Sequence, residues 1–324
     1  MILILSHAGD VHVEAVVPHL DRLRVPYRLN DPGQAPLERF EGIAVTRGRY
    51  AARLERASGG DLNLDRVTAV WYRRPTDLLS HDARQVHDEQ RFITANRREV
   101  VDGIWNQMRC AWLPAQPHVE GRASNKAYHL SVAADMGFRI PDTRITATPA
   151  MLPEMFSRHE GSVVLKPPMP YFNRTHNEQH TFTRAVRRRE LRGLLGLRHA
   201  PVILQERIPK RCDVRVTVVG NEVFAAAIHS QERATTSVDF RHDIFRLRHT
   251  VHALPAVEVR RCRALVRRLG LCFGAIDLVQ TPSGEHVFLE INPNGQWLWI
   301  ERATGLPIAD AVARLLAKAH EAGR

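Results

Sequence analysis

No stretch of this 324-residue chain comes near the ~20 consecutive apolar residues that a membrane span requires. Cysteine is scarce: Cys110, Cys212, Cys262 and Cys272 lie far apart, without the paired spacing of a zinc or redox motif, which fits ordinary burial in a reducing compartment. Glycine is thin where a phosphate-binding loop would need it. His7-Ala8-Gly9-Asp10, after the first apolar run, is too poor in glycine for a dinucleotide loop, and 169–182 contains none. Zinc-finger, helix-turn-helix and aromatic-basic signatures are absent as well, which argues against nucleic acid. Acidic charge is in short supply, with 35 Asp plus Glu against 46 Lys plus Arg and a net charge of +11. Such a surface attracts polyanions or acidic peptides. Its densest basic runs, Arg187-Arg188-Arg189 and the series Arg260, Arg261, Arg263, Arg267, Arg268, fall in helix-like segments and read as solvated faces. Met1-Ile2-Leu3-Ile4-Leu5 lacks a basic leader and reads as a first strand rather than a signal. The expectation is a soluble, cytoplasmic protein.

What the chain does have is an acidic hairpin near its C-terminal end. Gly274-Ala275-Ile276-Asp277-Leu278-Val279 and Phe288-Leu289-Glu290-Ile291-Asn292 both read as strands, with turn residues Pro282-Ser283-Gly284 between them. Glu290 and Asn292, two apart, share a face. A tip at Ser283-Gly284 sets Asp277 opposite Glu290 and Ala275 opposite Asn292. Two carboxylates and a carboxamide converging on one face repel unless a hard cation sits between them, so Asp277, Glu290 and Asn292 are a candidate magnesium site. Spacing alone leaves open a solvated hairpin with an acidic outer face.

Elsewhere the apolar pattern divides the chain. Strands at 2–5, 27–29, 42–46 and 67–72 alternate with a helix capped by Asp10, whose Val13, Val16, Val17, Leu20 and Leu23 share a face, and with a long helix over 83–108. Residues 1–115 thus read as an α/β domain on a mostly parallel sheet. Prolines 114 and 117 mark a boundary. Beyond it, Ser124 caps a helix over 125–136; a helix at 149–157, a strand at 163–166, a helix at 184–195 and a strand at 202–206 follow. Two strands around Gly220-Asn221, a helix at 257–269, the acidic hairpin and a helix at 308–320 complete the pattern. The division is 1–115, 116–204 and 205–324, one α/β domain followed by two α+β lobes.

Lys126 falls in a helix's first turn and Lys166 ends an apolar strand, where a lone lysine usually reaches solvent. Two lysines from one lobe and an acidic hairpin from the other would together neutralise a nucleotide triphosphate. Gln205, Glu206 and Ile208 lie at the natural hinge, beside an adenine edge. Asp213 and Arg215, same-facing on the next strand, are candidates for ribose and phosphate, or form a surface ion pair.

In this order Lys126, Val163-Val164-Leu165-Lys166-Pro167, Gln205-Glu206, Asp213-Val214-Arg215-Val216, Asp277-Leu278 and Leu289-Glu290-Ile291-Asn292-Pro293 resemble the ATP-grasp carboxylate–amine ligases. Val70-Trp71-Tyr72-Arg73-Arg74-Pro75 and Asn292 through Glu301 resemble, within them, the ribosomal-peptide maturases that make microviridin-type graspetides. The resemblance implies an ATP-grasp fold behind an N-terminal pre-ATP-grasp α/β domain. It implies ATP and Mg²⁺, as two ions, and an acidic precursor peptide with leader and core, whose Asp or Glu side chains are joined to Ser/Thr hydroxyls or Lys amines. A homodimer is compatible with it. By match, Lys126 and Lys166 hold phosphates, Gln205, Glu206, Ile208 and Asp213 the nucleoside, and Asp277, Glu290 and Asn292 the metal. Arg215 steadies the acyl phosphate. His229 assists a hydroxyl nucleophile or is a structural group. Trp71, Arg73, Arg74, Gln296 and Trp297 border the peptide, although both tryptophans equally fit a packing role. The glycine-free 169–182 loop departs from the usual pattern and offers Asn173, Arg174, Thr175, His176 and His180 instead. The alternatives are a ligase that adds amino acids to a protein tail or small molecule, and a non-catalytic basic binding protein.

Overall fold

The structure is a computed structural model that describes residues 1–34, 42–46, 49–55, 61–76, 87–169, 172–173, 179–180, 182–192 and 199–324. The first unit runs β1 (Ile2–Ser6), α1 (Val11–Arg22), β2 (Tyr27–Asn30), β3 (Gly42–Thr46), β4 (Arg49–Glu55), β5 (Asp61–Asn63), β6 (Ala69–Arg74), α2 (His87–Gln107) and β7 (Ala111–Leu113). All five residues of β1 are buried, as an apolar strand inside a parallel sheet must be, and the sheet order is β2-β1-β6-β7. Asp10 caps α1 by accepting the His12 N–H at 2.9 Å. Val13, Val16 and Leu20 are buried on one face, whereas Leu23 lies past the last turn and is exposed. The strand expected at 42–46 forms but leaves the parallel sheet. It pairs antiparallel with β4 in a separate β3-β4-β5 sheet, because the two residues between β3 and β4 are too few for a parallel crossover. Residues 83–86 of the expected long helix lie outside the described residues.

The second unit holds α3 (Pro117–Ser124), α4 (Lys126–Asp135), β8 (Thr143–Thr146), α5 (Met151–Arg158), β9 (Val163–Lys166), two short strands β10 (Phe172–Asn173) and β11 (Gln179–His180), β12 (Arg184–Ala185) and β13 (Val202–Glu206). Ser124 does not cap α4, because α3 absorbs it; the cap is Asn125, whose side chain accepts the Tyr128 N–H at 3.0 Å. The helix expected over 184–195 is replaced as far as residue 192 by β12, paired to β9, and a 3-10 turn over Arg188–Arg192, and 193–195 lie outside the described residues. An arginine-rich run with Val186 as its buried apolar anchor has no face to support a helix. Sheet order is β12-β9-β13-β8.

The third unit comprises β14 (Cys212–Val219), β15 (Glu222–Ile228), β16 (His249–Val251), α6 (Ala256–Arg268), β17 (Phe273–Gln280), β18 (His286–Asn292), α7 (Leu298–Thr304) and α8 (Ile308–Ala322). Its antiparallel sheet runs β16-β15-β14-β17-β18, and the central β14 is buried at every position. Gly220, with φ +59°, makes the β14–β15 turn. Cys262, Leu265 and Val266 of α6 pack under the sheet, which leaves Arg260, Arg267 and Arg268 exposed as the solvated face expected. All four cysteines are unpaired thiols. α8 packs against α1, and Val312 and Leu316 share one core with Ile2, Ile4, Val16 and Leu20. The last helix therefore closes the first unit as well as the third.

Candidate functional site

The β17–β18 pairing sets Asp277 opposite Glu290 and Ala275 opposite Asn292, and then slips by one residue at a bulge between Asp277 and Leu278. The slip has a chemical result. Ile276 and Ile291 before it and Leu278 and Phe288 after it all point into the core over α6, while Val279, Val287 and Leu289 gather with Ile208 in a second cluster. Asp277, Val279, Leu289, Glu290 and Asn292 consequently line one cavity. A strictly alternating strand would have turned Leu289 away from Glu290; the bulge puts an apolar patch beside the acidic one.

This cavity, of about 230 Å³, lies between the second and third units. Lys126, from the first turn of α4, donates to Glu290, and Lys166, from the end of β9, stands 3.9 Å from the same carboxylate. Burial alone would raise the Glu290 carboxyl, but Lys126 and Lys166 outweigh it and hold it well below the carboxylate range. Burial depresses the Lys166 ammonium, with Glu290 opposing the drop. Asp277 is pushed up to about 6 by burial, although Arg215 Nε lies 2.9 Å from its Oδ1. That Nε is out of line for a hydrogen bond and has no other partner. Three cations, Lys126, Lys166 and Arg215, thus face two carboxylates on a largely buried floor.

Asn292 Nδ2 is 3.4 Å from both Asp277 Oδ2 and Glu290 Oε1, so the three expected metal ligands do converge. Among the described residues no group of three His, Cys, Asp or Glu side chains gathers. Two carboxylates and an amide are a hard-oxygen set that suits Mg²⁺ shared with phosphate oxygens rather than an all-protein cage. The residues fit the ion.

Gln205, Glu206 and Ile208 line the same cavity, as do Asp213 and Arg215. Asp213 is already held: Lys210 Nζ is 2.8 Å from both of its oxygens and Ser230 Oγ donates at 2.5 Å, while burial raises the carboxyl. Lys210, three residues before Asp213, and the Asp239–Arg241 pair were not foreseen. Arg241 grips Asp239 through Nε at 2.8 Å and Nη2 at 2.5 Å on the cavity wall. Neither Lys210, in the loop before β14, nor Arg241, in a 3-10 segment, carries a periodic signal.

Several expected residues are elsewhere. His229 follows the end of β15, its Nε2 lies 3.0 Å from Thr250 Oγ1, and it does not line the cavity; the strand ends there and turns it to the neighbouring β16. Trp71, Arg73 and Trp297 are 3%, 2% and 1% exposed, so they are core and cannot border a peptide in this structure. Trp297 packs edge-on against His12. Arg73 faces Asp10 at 3.4 Å and donates to the Asn294 carbonyl at 2.8 Å, which pins the turn after the acidic strand to the first unit. Arg74 and Gln296 do face an open passage beyond Arg215, and lie within hydrogen-bonding reach once the Gln296 amide is turned. Glu120, from α3, lines that passage too. Its Oε2 has no partner, and burial pushes the carboxyl up to about 7 against the pull of Asn294 and Arg73. Of the 169–182 loop, Arg174, Thr175 and His176 lie outside the described residues.

Residues 123–316, more than half of the chain, match the model of the RimK-like ATP-grasp domain. The chain belongs to the RimK-like ATP-grasp family. Its fold is similar to that of a Chryseobacterium gregarium RiPP-associated ATP-grasp ligase in complex with ADP and a leader and core peptide, with 26% identity, 98% of this chain and 96% of that one covered, and a TM-score of 0.87. It is similar too to the macrocyclase MdnC of Microcystis aeruginosa MRC bound with the precursor peptide MdnA, at 25% identity, 98% and 99% coverage and a TM-score of 0.85. The expected ATP-grasp fold and the resemblance to peptide maturases are borne out. Ribosomal protein bS6–L-glutamate ligase of Salmonella paratyphi B is 33% identical over 116 residues, which are 34% of this chain. The match spans about a third of that ligase's length, 36%. ATP-grasp enzymes use ATP and Mg²⁺, and the cavity of this family member has the charge for both. No described helix is long and apolar enough to cross a membrane.

Proposed function

We propose that this ATP-grasp protein is a cytoplasmic ligase that activates Asp or Glu side chains of a ribosomally made, acidic precursor peptide and joins them to Ser/Thr hydroxyls or Lys amines, closing rings. The observation that carries the reading is the juxtaposition of Lys126, Lys166 and Arg215 with Asp277, Glu290 and Asn292 on one cavity that continues into a passage beyond Arg215. A pocket for nucleotide alone would have no need of the passage.

The substrate carboxylate oxygen attacks the γ-phosphorus of ATP, and ADP leaves; the hydroxyl or amine then attacks the acyl carbon, and phosphate leaves carrying the proton the nucleophile gives up. Lys126 and Lys166 hold the phosphate oxygens, with Gln205, Glu206 and Ile208 along the adenine and Asp213 toward the ribose. Asp277, Glu290 and Asn292 would hold two Mg²⁺ ions, which supply charge neutralisation across the phosphates when bound. Arg215, which lines both the cavity and the passage, steadies the acyl phosphate and the departing phosphate.

Mass spectrometry of a Thr-, Ser- and Asp/Glu-rich peptide encoded beside this chain and co-expressed with it tests the reading. Loss of one water per ring is expected. An unmodified peptide, with ADP release unstimulated by acidic peptides, would overturn it. The segment similar to the glutamate ligase favours one second reading, amino-acid addition, which would increase the product mass instead.

A further inference from the structure

The cavity does not end at the phosphate site. Past Arg215 and Asn292 it opens into the passage walled by Arg74, Glu120, Arg241 and Gln296, and this shares Ile244, Gln296 and Trp299 with a further groove of about 390 Å³. The chemistry changes along the way, from lysines and carboxylates, through arginines, to Val11, Ile244, Phe245, Leu298 and Trp299. Phe245 is 88% exposed and Val11 45% exposed. A single exposed apolar residue needs no explanation; two on the wall of one groove that is continuous with a reaction site do.

Trp299 is the partition. The Arg215 guanidinium lies over its ring at 5.5 Å, and the ring meets Phe240 at 6.2 Å and His249 edge-on at 5.2 Å. A peptide carboxylate held at Arg215 therefore sits on one side of the indole, with the apolar groove on the other. An extended chain advances ~3.3 Å per residue, so a side chain one or two positions from the activated acid reaches across the ring. His249, Gln296 and Arg302 line the groove as well, but Val11, Ile244, Phe245, Leu298, Trp299 and Ala303 make up most of its wall, and the His12 imidazole Nε2 is already occupied by the backbone N–H groups of Trp297 and Leu298, at 3.3 and 3.4 Å. We infer that this groove is a specificity pocket that takes an apolar side chain adjacent to the acidic residue being activated. The inference rests on the peptide-ligase reading and adds to it which core sequences are accepted, with Ile244, Phe245 and Trp299 as the selecting residues.

Hydroxylamine, which captures an acyl phosphate as a stable hydroxamate with release of phosphate, tests the pocket on the full chain with ATP and Mg²⁺. The probes are acetyl-Gly-Phe-Asp-Phe-Gly-amide and acetyl-Gly-Ser-Asp-Ser-Gly-amide. Burial of one aromatic side chain should raise kcat/KM for the Phe peptide about tenfold or more over the Ser peptide. The Ile244→Ser/Phe245→Ser double variant should bring that ratio to within about twofold, while Phe245→Leu, apolar but smaller, keeps most of it. Equal rates on both peptides would overturn the pocket and leave the ligase reading standing. Hydroxamate from neither peptide, in protein that still binds ADP, would count against the ligase reading and the pocket together. Concentration-dependent dimerisation abolished by the same double variant would assign the groove to a second copy of this chain and overturn the inference.

Discussion

Replacing Glu120 with glutamine should make the protein more stable at neutral pH and leave it unchanged in acid. Burial pushes this carboxyl from the usual 4.5 to about 7, with Asn294 and Arg73 only partly opposing it. The folded state thus keeps a proton that the unfolded chain has already released between those values. The associated stability is fully present below about 4.5 and is lost as pH rises through about 7. At pH 8 the ionised carboxylate costs roughly 3 kcal/mol by this linkage, and its partial contact with the open passage reduces that to ~1–2 kcal/mol. Glutamine keeps the shape and removes the titration. Urea unfolding of both proteins at pH 4 and pH 8 should give coincident curves at the first and a higher midpoint for Glu120→Gln at the second, with equal slopes. A variant less stable than the parent at pH 8 would refute the reasoning, since it would mean that the anion is held by the unpaired Nη2 of Arg73.

Three further outcomes follow from the site. Glu290→Gln should abolish ADP release in a coupled assay and leave the circular dichroism spectrum intact, because it removes the counter-charge to Lys126 and Lys166 without touching the core. Arg215→Ala should retain ADP affinity by calorimetry but lose product by a factor of about 10³, the size of losing one preorganised transition-state donor; weakened nucleotide binding alone would sink the assignment. Lys210→Met strands the buried Asp213 carboxylate with Ser230 as its remaining partner and should destabilise the fold by ~3 kcal/mol in thermal unfolding at pH 7. The deficit should shrink in acid, where the burial-raised Asp213 takes up a proton.

The acidic hairpin and the two lysines were legible because each is a local pattern: alternation on a strand, a lysine at its end, a turn of known residues. The Asp277–Glu290 pairing came out as expected but not through the turn: next to the turn Gln280 pairs with His286, one residue out of the register a Ser283-Gly284 tip sets, and the bulge restores it. The bulge was not legible, since nothing in Phe288-Leu289-Glu290 marks which residue is extra, and it decides that Leu289 and Glu290 share a wall. His229 failed for a related reason: strand alternation fixes a side until the strand ends, and β15 ends one residue before it. Trp71 and Trp297 show the limit of motif reading, because a residue can belong to a long shared motif by filling the core beneath a site. Asp239 and Arg241 carried no signal, since a 3-10 segment has no amphipathic period to read.

The placement of α8 bears on how the molecule is made. His19 and Asp310, 291 residues apart, meet with ring Nδ1 and carboxylate oxygen 3.2 Å from one another, and around them the last helix covers Val16 and Leu20 of the first. On the ribosome, the opening sheet and α1 emerge long before the segment that shields them. Until Ile308 and the residues after it are released, that surface stays wet and adhesive, so holdase chaperones should engage the nascent chain, and translation stalled before α8 should yield aggregates rather than a folded leading domain.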